Sequence, residues 1–280
     1  MNDGRRGELA SSLARMPSIP AVMVEILAAI EDPDFALHRL AAIIGRDQAL
    51  VTRVLRTVNS PFYGTQGRVA SVESAAMVLG ASTLKSLAAA AALIDAFPSS
   101  AVPGFCRIAF WSHSIGTALA ARALANPAGV DPATAFTAGL LHDLGRLALI
   151  AVLPAQYAQA LALVRAGEAT LLDAERRLLG CDHQEAGDEL ARRWRFAPEI
   201  RSAMVGHHLA DDARPEPFLA AIHVADVVAH GLEFGAQAGE LVPPVSTAAW
   251  SRLGIGWEAF REALVRVEGE RAAALALITR

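Results

Sequence analysis

His142 and Asp143 interrupt an otherwise apolar run, Ala138-Gly139-Leu140-Leu141-His142-Asp143-Leu144-Gly145-Arg146. An imidazole and a carboxylate removed from water without partners cost several kcal/mol. The pair therefore requires hydrogen-bonding groups, a metal ion or a water-filled cleft. The rest of the chain supplies candidates: His113 upstream, then His183, His207, His208 and Asp226 downstream. Nitrogen and oxygen donors of this kind suit Fe, Mn or Zn, and the carboxylates suit Mg. Arg146 follows His142 by about one helical turn, and a guanidinium there is suited to clamping a phosphate. A reading without metal stands beside this one. His113 can hydrogen-bond across a helix interface, and His183 can face solvent near a helix start. His223, Asp226 and His230, spaced three and four apart, share a helix face and can bond among themselves.

The elements that must position these groups are helices, because a period near 3.6 runs through the chain with no convincing strand alternation. In the first part the pattern predicts helices over Ile19–Ile30, Leu37–Gly45, Asp47–Asn59, Val72–Leu79 (ending at Gly80) and Thr83–Ala96. Asn59-Ser60-Pro61-Phe62-Tyr63-Gly64 reads as a loop in which Asn59 and Ser60 cap or clamp a helix end. In the second part helices are expected near Phe105–Ala125, Pro132–Leu144, Ala155–Ala166, Leu171–Leu179, His183–Trp194, Pro198–His207 and Pro217–Leu232. The second of these places His142 and Asp143 inside one helix. Asp182 and Glu185 read as a capping box opening the His183 helix. Leu241–Val245 reads as a proline-containing turn before helices over Ser246–Leu253 and Trp257–Ile278.

Phe97–Gly104, rich in Pro, Ser and Gly, reads as a linker. It separates a part whose sole histidine is His38 from a part holding the other seven. The expected organisation is all-α: an N-terminal helical bundle (1–97), a second helical subdomain (105–235) and a helical extension (236–280). Trp111 and Trp194 are expected in the core, and Arg192, Arg193, Arg195 and Glu268–Arg271 on solvated faces.

Composition narrows the function classes. The 280 residues carry a formal net charge of -4, which argues against a broad phosphate-tracking surface and makes nucleic acid an unlikely partner. The apolar stretches Leu87–Phe97, Leu144–Leu153 and Phe218–Val228 are shorter than the roughly 20 residues of a spanning helix or are broken by charge. No apolar signal-peptide core follows Met1, and Cys106 and Cys181 form no CxxC. The expectation is a reducing, cytoplasmic setting and no membrane.

Several segments, in order, resemble the HDOD family of bacterial signalling proteins. In the first part these are Leu13…Pro17-Ser18-Ile19-Pro20, Asp32-Pro33, Leu40–Asp47, Asn59–Gly64 and Ala75–Gly80. In the second part they are Phe110-Trp111-Ser112-His113-Ser114, His142-Asp143, Asp182-His183…Gly187…Trp194 and His207-His208. The resemblance implies a helical bundle packed on a domain related to HD phosphohydrolases. It also implies a regulatory role through other signalling proteins, with a homodimer as one possible assembly. In HD hydrolases a metal is held by an early His, the His-Asp pair and a late Asp, to which His113, His142, Asp143 and Asp226 correspond. In two-metal relatives further histidines hold a second ion, a role open here to His183 and to His207 or His208. Were the site catalytic, Asp143 and Arg146 would act in it, the latter at or near the lysine of cyclic di-GMP phosphodiesterases of the HD-GYP class. Leu209–Pro215 lacks the Gly-Tyr-Pro signature of that class, so hydrolysis of that nucleotide is not expected. Two functions follow as expectations: a regulatory module, non-enzymatic or weakly enzymatic, and a metal-dependent phosphohydrolase.

Overall fold

A computed structural model of the protein describes residues 21–32, 34–60, 65, 69–96, 102–209, 214–237, 241–276 and 278. Among these residues the fold is all-α, with fourteen helices and no strand. The first four are α1 (Ala21–Glu31), α2 (Leu37–Gly45), α3 (Gln48–Val58) and α4 (Val72–Ala96). Asp47 caps α3 by accepting from the amides of Ala49 and Leu50, as its type at that place favours. The two helices expected on either side of Gly80 are continuous segments of α4, broken where Gly80 takes φ 76°. Asn59 follows α3, and its side chain donates to the Val69 carbonyl and accepts from the Val69 amide, tying the end of α3 to the residues just before α4. Residues 61–64 of the expected loop, the expected start of α1 at Ile19 and most of the Phe97–Gly104 linker lie outside the described residues.

The second part continues with α5 (Arg107–Ala125), α6 (Pro132–Leu141), α7 (Leu144–Val152), α8 (Pro154–Arg165), α9 (Leu171–Leu179) and α10 (His183–Arg193). It ends with α11 (Pro198–Gly206), α12 (Pro217–Gly231), α13 (Thr247–Leu253) and α14 (Trp257–Leu275). The Asp182–Glu185 capping box opens α10 as expected. Trp111 is buried and Trp194 packs on the core. Arg192 and Arg195 are exposed.

One expectation is corrected. His142 and Asp143 lie between two helices, not within one: α6 ends at Leu141, and Asp143 takes φ -99°, ψ 7° before α7. The apolar period continues through both helices, so the break leaves no mark on it. Two glycines show what the break achieves. A Cβ on Gly139 would stand 2.9 Å from the Ala118 Cα and the Thr117 carbonyl of α5. A Cβ on Gly145 would stand 1.8 Å from the His183 carbonyl. Each glycine thus lets one partner helix approach the His-Asp pair, α5 on one side and the start of α10 on the other.

Helix α5 packs on α6, α12 and α14, while α10 packs on α7 and α11. Helices α1 and α4 lie against α6, and α14 touches α3, so the apolar core runs from the bundle into the second part. The run Pro132–Val152 has the length and apolarity of a membrane-crossing segment, yet 89% of its most apolar window is buried inside this fold. Its hydrophobicity is that of a core.

Candidate metal centre

Five elements deliver side chains to one buried place. Helix α5 brings His113, the α6–α7 break brings His142 and Asp143, and the start of α10 brings His183. The residues just after α11 bring His207 and His208, and α12 brings Asp226 and His230. Among the described residues, three sets of ligand atoms lie within 4.8 Å of one another: His113, His142 and Asp143; His113, Asp226 and His230; His183, His207 and His208.

On one side, His113 Nε2 stands 2.9 Å from Asp226 Oδ1 and 3.3 Å from His142 Nε2. His142 Nε2 is 3.5 Å from Asp226 Oδ1 and 3.8 Å from Asp143 Oδ2. On the other side, Asp143 Oδ1 is 3.5 Å from both His183 Nε2 and His207 Nε2. Those two nitrogens are 3.3 Å apart, and His208 Nε2 is 3.1 Å from His183 Nε2. Asp143 therefore presents one oxygen to each group. Both His207 and His208 stand beside His183, where the sequence offered one or the other.

The far sides of three rings fix their tautomers. His142 Nδ1 donates to the Gly139 carbonyl at 2.6 Å, His207 Nδ1 to the Ala203 carbonyl at 2.9 Å, and His183 Nδ1 to Glu175 Oε2 at 2.6 Å. A neutral ring that donates from Nδ1 offers a lone pair at Nε2, which is how outer hydrogen bonds orient metal-binding histidines. Three such lone pairs converge with two carboxylates. That donor set fits a divalent cation of nitrogen and oxygen preference.

In the metal-free fold the nearby carboxylates favour a proton on His142 and His183, which a bound cation would displace. Burial opposes ionisation of Asp143, but His142, Arg146, His207 and His183 outweigh it and hold the carboxyl well below its usual range. Burial likewise opposes ionisation of Asp226, and His113 and His142 hold it low. Burial works to lower His142, yet Asp143 and Asp226 raise it; burial also opposes Glu175 at His183, and Glu175 prevails, raising the ring to about 9. His207 and His208 are lowered, chiefly by burial and, for His208, by the neighbouring rings. Burial together with His113 lowers His230 to about 4.

Arg146 points inward: it is 5% exposed, with Nη1 donating to Asp143 Oδ2 at 3.0 Å and Nε to the Tyr157 hydroxyl at 3.1 Å. The guanidinium holds a carboxylate of the site in place. His223 leaves the group that its spacing suggested, since its Nδ1 donates to the His207 carbonyl and its Nε2 accepts from the Ser246 amide. Only His230 of that pair of histidines reaches Asp226, at 3.8 Å. Sequence reasoning missed Glu175, a fully buried acid that takes both the amide and the ring of His183. Its helix reads as amphipathic, and the contact crosses between helices.

The HDOD domain profile matches residues 16–210. An uncharacterized protein of Treponema pallidum is 27% identical over 243 residues, and the chain spans 45% of that protein's length. The crystal structure of an HDOD domain protein of unknown function from Geobacter sulfurreducens superposes with TM-score 0.81 at 26% identity, covering 98% of each chain. A "Putative phosphohydrolase" from Shewanella amazonensis superposes with TM-score 0.76 at 26% identity, covering 97% of this chain and 98% of that one.

Proposed function

The chain belongs to the HDOD family, and we propose that it is a regulatory module acting through protein partners, with two divalent cations held in its HD-type pocket. His113, His142, Asp226 and Asp143 Oδ2 would hold one ion; His183, His207, His208 and Asp143 Oδ1 would hold the other. The observation that carries the metal reading is the set of Nε2 lone pairs turned toward each other by fixed Nδ1 donors. A regulatory role is supported by how deeply the donors are buried and by Arg146, whose Nε and Nη1 are held by Tyr157 and Asp143 inside the fold. In this role the cations join α5, the α6–α7 break, α10 and α12, and so couple pocket occupancy to the packing of these helices.

A second reading, a metal-dependent phosphohydrolase, is favoured by the completeness of the donor set and by the similarity to the Shewanella protein. Bound cations would supply water activation and neutralise charge on a phosphoryl group.

One pair of measurements separates the readings. Elemental analysis of the purified chain is expected to find transition metal, up to two ions per chain, and a panel of nucleotides and phosphoesters is expected to release no phosphate. Failure to bind added Mn, Fe or Zn overturns the metal reading. Metal-dependent phosphate release lost in His142→Ala and Asp143→Ala overturns the non-enzymatic one in favour of the hydrolase.

A further inference from the structure

His230 is the least buried imidazole touching the first group, at 20% side-chain exposure against 6% for His113, 1% for His142 and 3% for Asp226. It stands one turn beyond Asp226 on α12, with Nε2 3.8 Å from Asp226 Oδ1. Its ring lies 4.4 Å from that of His113, tilted by 42°. One ligand atom from each of His113, Asp226 and His230 falls within 4.8 Å of the others. Among the described residues the buried His113 Nδ1 has no hydrogen-bond partner. His113 and His230 thus both face one oxygen of Asp226, an arrangement that a shared cation would draw together.

The other side of Asp143 offers a parallel. There His183 and His207 are buried, while His208 is half-buried with its Nε2 3.1 Å from His183 Nε2. Each group thus has buried donors and one partly exposed histidine at its edge. We infer that His230 is a metal ligand, the solvent-side donor to the ion held by His113, His142, Asp143 and Asp226, as His208 is to its neighbour. This rests on the two-ion reading above and extends it: His230 raises the donors on that side to five residues and controls how readily that ion exchanges.

The test is titration of the full, metal-stripped chain with Co(II), followed by visible absorption and equilibrium dialysis. The wild type is expected to take two ions per chain. His230→Gln is expected to weaken one of the two by at least the roughly 10–100-fold that even outer hydrogen-bond partners cost, with a changed absorption band. His38→Gln, at an exposed histidine of α2, is expected to change neither site. His230→Ala, checked by circular dichroism to be folded, is expected to regain affinity when free imidazole is added. If the wild type binds two ions and both His230 variants keep its affinities and spectrum, the inference fails and the two-ion reading stands. If the wild type binds none, the two-ion reading fails, and this inference fails with it.

Discussion

His183 and His207 face each other across 3.3 Å through nitrogens that neither ring can use as a donor while neutral. His183 gives its Nδ1 hydrogen to Glu175, and His207 gives its own to the Ala203 carbonyl. Facing lone pairs at that distance repel unless a proton or a cation lies between them. A cation there binds the folded state and not the unfolded chain, so it adds stability by mass action. At a free concentration of about 100 times Kd this amounts to about 2.7 kcal/mol per site. Saturating Mn(II) is therefore expected to raise the Tm of metal-stripped protein by roughly 5 °C per occupied site, about 10 °C for both, and EDTA to reverse it. Differential scanning fluorimetry reads the shift, and an unchanged Tm counts against occupancy.

The same ring sets a pH dependence. Glu175 raises the folded-state value of His183 to about 9 against the opposing effect of burial, from an ordinary value of 6.5. A raised value means that protonation stabilises the fold. In metal-free protein this contribution is complete below about pH 6.5 and is lost as pH rises through about 9. Cation affinity runs the opposite way and increases across that window, because the ion must displace the proton. Glu175→Gln is expected to flatten both trends and to weaken cation binding by roughly 10–100-fold. Urea denaturation and metal titration at several pH values measure them.

Arg146→Met leaves Asp143 without its buried guanidinium partner. Breaking a buried ion pair from one side costs about 3–5 kcal/mol. That loss is expected in metal-stripped protein and is expected to shrink when cations supply the missing positive charge. An equal loss with and without Mn(II) would separate Arg146 from the site.

Close approach of backbone makes Gly145 sensitive. The Cβ of Gly145→Ala would meet the His183 carbonyl at 1.8 Å and the Gly187 amide at 2.7 Å, and backbone cannot rotate away. The variant is expected to lose about 3 kcal/mol or more and to bind cations poorly on the His183 side. Gly269→Ala in α14, where nothing lies within 4 Å, is expected to stabilise by up to about 1 kcal/mol. Chemical denaturation of the two variants compares them.

Much of the helical order was legible because apolar spacing, prolines at first turns and the Asp182–Glu185 capping box are local signals. That His113, His142, Asp143 and Asp226 would come together was legible only through the resemblance to HD hydrolases, since their spacing along the chain says nothing of it. Other features depend on contacts between elements. The break at Asp143 hides within an unbroken apolar period, and its purpose shows only in what stands opposite Gly139 and Gly145. Glu175 looks like one charge on an amphipathic helix until α10 is placed beside it. His223 and His230 lie on either side of Asp226 in sequence, yet one bonds the His207 carbonyl and Ser246 while the other leans on Asp226. Side-chain direction of that kind follows from neighbours, not from spacing.

Anomalous diffraction from crystals soaked in Mn(II) tests the central claim most directly. The account predicts two peaks flanking Asp143, one among His113, His142 and Asp226 and one among His183, His207 and His208. Crystals that diffract well after soaking yet show no anomalous density beside Asp143 would contradict it.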